Sequence, residues 1–248
     1  MATLWLAGAW MGHDADMAAH YLGRAGVVFG PAFAALAVAT GTTGRDGVIR
    51  LLSRLRPHRE DVWWFVLLPS VSLGATVLAY IVTSTPVTAV ASALVDGWPS
   101  LLANYVLALL IIGIGEELGW RGWLLPKLLT RRSRAKATIL VGAVWCPWHL
   151  PILLRGGWGA LSFAVVVVAL SFLFTALWSY ARESVLVVAL GHASVNAPFF
   201  FFESALGPQR SYAAWLMVCA FYSLLAVVLV AVTWRWWQSE APSVEPVL

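Results

Sequence analysis

The chain alternates between long apolar runs and short polar connections. The runs fall at residues 24–42, 62–83, 100–126, 137–154, 160–181, 184–203 and 212–235. A helix needs about 20 residues to cross the hydrocarbon core of a bilayer, so the pattern predicts seven spans. The N-terminal stretch "MATLWLAGAWMG" is apolar but only about 12 residues long, where about 20 are needed. It reads as part of an eighth span or as an interfacial segment, and lacks the basic n-region and cleavage site of a signal peptide.

The connections test the count. Arg45, Arg50, Arg54, Arg56 and Arg59 follow the first run, and Lys127, Arg131, Arg132, Arg134 and Lys136 follow the third. Arg182 follows the fifth run and Arg235 the seventh, whereas the intervening connections hold only Arg155 and Arg210. Every second connection is basic. The positive-inside rule then places the basic ends and the C-terminus in the cytoplasm. The expected organisation is a short segment 1–23, a single all-α transmembrane bundle over 24–237, and a disordered cytoplasmic tail over 238–248.

Composition agrees. Hydrophobic residues make up 60% of the 248 and charged residues 11%, against about 25% charged in an average soluble domain. The chain therefore reads as a multi-pass membrane protein in contact with lipid. The net charge of +4 sits in loops, as topology requires, and signals no nucleic-acid partner. Cys146 and Cys219 both lie in apolar runs and read as packing residues. Trp63, Trp64, Trp98, Trp234, Trp236 and Trp237 fall at span ends, where an interfacial belt is expected. "RLLSRLRPHR" reads either as a basic amphipathic helix on the membrane or as a plain loop. Compactness and the preference for Arg over Lys suggest a bacterial plasma membrane; oligomeric state is not encoded legibly.

Few ionisable or amide side chains lie deep in the spans: Glu116, Glu117, Arg121, His149, His192 and Asn196, from three different runs. Polar groups are costly in hydrocarbon, so these should converge on one interior site. Glu117 and Arg121 are four apart and can pair along one helix face. Glu116 is rotated by about 100° from Glu117 at 3.6 residues per turn, which leaves it without a partner on its own helix and free to meet His149 and His192. Pro147 and Pro151 flank His149 and can kink its helix. A carboxylate, two imidazoles and an amide in a partly dry cavity suit hydrolysis: one group activates water, another donates to an oxyanion. The set Glu116, His149 and His192 could instead hold a divalent metal such as zinc, although no HExxH zincin motif is present.

These residues also carry a resemblance. "EELGWR" resembles the EExxxR motif of the CAAX-protease and bacteriocin-processing family of intramembrane endopeptidases. "WCPWH" resembles its FxxxH motif, and "HASVN" its HxxxN motif, all in the family's order on separate spans. The resemblance covers about residues 28–200. It implies a helical bundle with its site in a cavity open toward the cytoplasm. It implies Glu116 and His149 as activators of water, His192 and Asn196 as the oxyanion hole, and Glu117 and Arg121 as supports. It implies no cofactor, and as substrate a membrane protein or lipid-linked peptide. Trp145 departs from the motif's Phe, and a bulkier ring there is expected to reshape the cavity wall. Metal-dependent proteolysis, a non-catalytic immunity or scaffold role and proton-coupled transport are the competing readings.

Overall fold

A computed structural model describes residues 21, 23 and 25–240. The expected partial N-terminal span and residues 241–248 of the tail lie outside the described residues. Within them the chain is almost wholly helical. Its one pairing of extended backbone is an isolated bridge between Ser133 and Glu240.

Among the described residues six helices are long and apolar enough to cross a membrane: α1 (Ala25–Ser53), α2 (Arg59–Val82), α3 (Val87–Leu129), α6 (Gly157–Tyr180), α7 (Val185–Leu206) and α8 (Pro208–Val232). Together they make a polytopic helical bundle. The remaining expected span, 137–154, is not one helix. It divides into α4 (Arg134–Trp148, 15 residues) and α5 (Leu150–Leu153), with His149 non-helical between them at φ −93° and ψ 24°. The cause is local. Pro147 lacks an N–H on the last turn of α4, and Pro151 occupies the first turn of α5, where proline is tolerated. A short α9 (Trp234–Gln238) follows α8.

The four basic connections meet at one end of the bundle. Arg54 pairs with Glu183 at 3.7 Å, and Arg182 pairs with Glu60 and Asp61, joining the α1–α2 and α6–α7 connections. Arg134 donates to the Trp236 and Glu240 carbonyls and lies 4.7 Å over the Trp236 ring. Tyr180 stacks on the same indole. The starts of α4 and α7 and the ends of α6 and α8 are therefore together, and α6 packs back along both α4 and α5. The broken α4–α5 segment thus takes the place of the seventh crossing. Burial pushes the Glu183 carboxyl up and the Arg54 guanidinium down, and their mutual attraction offsets only part of that. This clasp orders the turn, where Arg182 and Glu183 both have positive φ, more than it stabilises the fold.

α1 also differs from expectation. It kinks at Gly44, whose φ of +63° suits glycine, and continues as helix through Arg45 and Arg50. "RLLSRLRPHR" is accordingly part helix and part turn. Its Leu51 is fully buried in a cluster with Leu118 of α3 and Val185 of α7, which a helix lying freely on a membrane surface would not show.

Candidate active site

The site is built on the middle of α3. Residues Ile114–Gly119 are α-helical, but the stretches on either side, Ala108–Gly113 and Trp120–Leu124, are π-helical. A π-turn inserts an extra residue per turn and re-aims the side chains around it. Close helix approach fixes the segment on both faces. A Cβ on Gly119 would lie 2.5 Å from the Pro31 backbone of α1, and one on Gly113 would collide with the Ala189 carbonyl of α7.

Glu117 and Arg121 are both wholly buried, and Arg121 Nη1 donates to both carboxylate oxygens, at 3.0 and 2.9 Å. The guanidinium lies 4.6 Å over Trp145 and 5.2 Å over Phe174, an arrangement favourable to a desolvated cation. His192 brings its Nδ1 to within 2.8 Å of Glu117 Oε1. The expected ion pair forms, but Glu117 also takes the histidine that the sequence directs toward Glu116.

Glu116 is 3% exposed and has different partners. Its Oε2 accepts from the Trp145 indole at 2.6 Å and from the Trp120 indole at 3.4 Å. Trp120 is on the same helix, so Glu116 is not without a partner there. His149 is close enough to interact electrostatically with both Glu116 and His192. Its Nδ1 lies 3.0 Å from the Trp145 carbonyl. A carbonyl only accepts, so Nδ1 carries the proton and Nε2 presents a lone pair. Asn196 Nδ2 donates one hydrogen to the His192 carbonyl at 3.0 Å, leaving its second hydrogen for another acceptor.

His149, His192 and Asn196 line one small cavity of about 50 Å³, with Trp145, Phe163 and Trp215 among its apolar walls. That volume holds a few waters, each needing about 10–15 Å³. Glu116 is not part of the lining; it stands behind the Trp145 indole. Among the described residues no group of three or more His, Cys, Asp or Glu side chains is placed to hold a metal ion. The alternative ligand set Glu116, His149 and His192 is therefore not assembled as one coordination site.

Two contributors escape the motif reading. Trp145 and Trp120 are site residues, not only wall and packing. The one sequence signal was their spacing: Trp145 is one turn before His149, Trp120 one turn after Glu116, and each carries a donor N–H.

Residues 97–198 match the family model described as type II CAAX prenyl endopeptidase, Rce1-like. That segment contains all six deep polar residues. The chain is also similar to CAAX prenyl protease 2 of Methanococcus maripaludis, 29% identical over 99 residues. The alignment covers 36% of this chain and 36% of that relative, so the chain matches about a third of the relative's length.

Proposed function

We propose that the chain is an intramembrane endopeptidase that cleaves a membrane-associated protein or lipid-linked peptide with water activated by Glu116 and His149. One observation carries this reading: two separate elements bring two imidazoles and a carboxamide onto one buried cavity, with a carboxylate from a third held one indole away. The family match and the relative's name support it.

In this mechanism a cavity water loses its proton to the Glu116–His149 pair and attacks the scissile carbonyl carbon. The carbonyl electrons move to oxygen. His192 and the second N–H of Asn196 donate to that oxyanion as the tetrahedral intermediate forms. His192 Nδ1–H is committed to Glu117, so Nε2 can donate only while the ring carries both protons. Collapse breaks the C–N bond, and the proton taken from water passes to the leaving amine. The cavity holds water but not a peptide, so substrate entry requires neighbouring helices to part. The basic end faces the cytoplasm in this reading, and the membrane is the plasma membrane.

The test uses purified protein in proteoliposomes with an isoprenylated reporter peptide read by mass spectrometry. Glu116→Gln and His149→Ala are expected to abolish cleavage while the protein inserts and folds. Full activity in Glu116→Gln overturns the mechanism. Activity that survives exhaustive chelation of metal-free enzyme decides against metal dependence; loss that added zinc restores decides for it.

A further inference from the structure

Trp145, at the motif's Phe position, contacts Glu116, Arg121, His149 and His192. Its indole N–H donates to Glu116 at 2.6 Å, and its carbonyl accepts from His149 at 3.0 Å. Its ring lies under Arg121 and meets His149 and His192 edge-on, with centroids 6.0 and 5.4 Å apart. It is 1% exposed, so these contacts are made out of water.

The chemistry of the donor matters. An indole nitrogen donates and never accepts. With the Trp145 and Trp120 indoles both on Oε2 of Glu116, that oxygen must keep its lone pairs. Among the described residues no hydrogen bond engages Oε1, so a proton taken up by Glu116 has to sit there. The Trp145 carbonyl does the complementary task on His149 by holding the proton on Nδ1.

We propose that Trp145 is a positioning residue that sets both halves of the water-activating pair: through its N–H it assigns the reactive oxygen of Glu116, and through its carbonyl the reactive nitrogen of His149. This rests on the function proposed above. A phenylalanine here, as in the motif that "WCPWH" resembles, keeps the ring and the carbonyl but has no N–H. The grip on Oε2 through this position is therefore a feature of this chain, and the motif itself does not specify it.

The experiment compares wild type, Trp145→Phe, Glu116→Gln and Trp178→Phe in the proteoliposome assay. Trp178 is a control for packing: it is 3% exposed, and its Nε1 has no partner among the described residues. Trp145→Phe is expected to lower kcat by about tenfold or more, as loss of a hydrogen bond to a charged group implies, with KM changed less than about twofold. Trp178→Phe is expected to stay near the wild-type rate. In parallel, the indole NMR resonance of Trp145 in ¹⁵N-tryptophan-labelled protein, assigned by its loss in Trp145→Phe, is expected to shift in Glu116→Gln. An unshifted resonance overturns the proposal. So does a wild-type rate in Trp145→Phe when Glu116→Gln is inactive, or an equal loss in Trp178→Phe. Full activity in Glu116→Gln sinks the proposed function instead, and the resonance then still reports whether the indole grips the carboxylate.

Discussion

Arg121 is wholly buried, yet its Nε and Nη2 find no hydrogen-bond partner among the described residues. Two contacts offset that cost: the bonds from Nη1 to both Glu117 oxygens and the aromatic faces of Trp145 and Phe174. Breaking a buried pair from one side costs about 3–5 kcal/mol, because the remaining charge is stranded. Arg121→Ala is therefore expected to reduce folded yield and lower the thermal midpoint in detergent. Arg121→Lys should recover only part of it, since a strongly hydrated ammonium lacks the planar face that lies over Trp145 and Phe174; full recovery by lysine would show that charge alone suffices. The four-residue spacing made the Glu117–Arg121 pair legible in the sequence. The contact between Glu117 and His192 was not, because it depends on the rotation of α7 against α3, which no spacing within one helix encodes. The part played by Trp145 stayed hidden for a related reason: the motif draws attention to ring size, whereas the structure uses the N–H.

Helices, and the bundle they make, were legible from apolar run length. Their interruptions were only partly so. Pro147 and Pro151 signalled the break at His149, but the same run length suggested an unbroken span. The π-helical stretches around Glu116 left no mark, because their residues are ordinary apolar helix formers and the distortion answers packing on two faces. That packing is testable. Gly119→Ala places a methyl 2.5 Å from the Pro31 backbone. Overpacking of this kind typically costs about 1–3 kcal/mol, so the thermal midpoint should fall and cleavage should drop with it. Gly74→Ala meets nothing within 4 Å and is expected to leave the midpoint unchanged or slightly raised. Equal effects from the two would remove the argument that α1 sits on α3 through a glycine contact.

At the scale of the whole molecule, the alternation of basic connections anticipated which ends lie together. The contacts Arg54–Glu183, Arg134–Trp236 and Tyr180–Trp236 join those ends. Which side of the membrane they face is a separate matter. In a background lacking Cys146 and Cys219, single cysteines at Arg131 and Gln238 should react with an impermeant maleimide only in opened cells. Cysteines at Ser84 and Gly156 should react in intact ones. Labelling of Arg131 and Ser84 from the same side would contradict the bundle's polarity. The proposed activity of the buried constellation on α3, α4 and α7 is hydrolysis of a peptide bond in the membrane. Its most direct test works whatever the substrate is: comparative mass spectrometry of membrane-protein termini in cells expressing wild type, Glu116→Gln or no protein, at matched levels of inserted protein. Glutamate-dependent hydrolysis predicts new termini with wild type alone. The same termini at the same abundance with Glu116→Gln would contradict it.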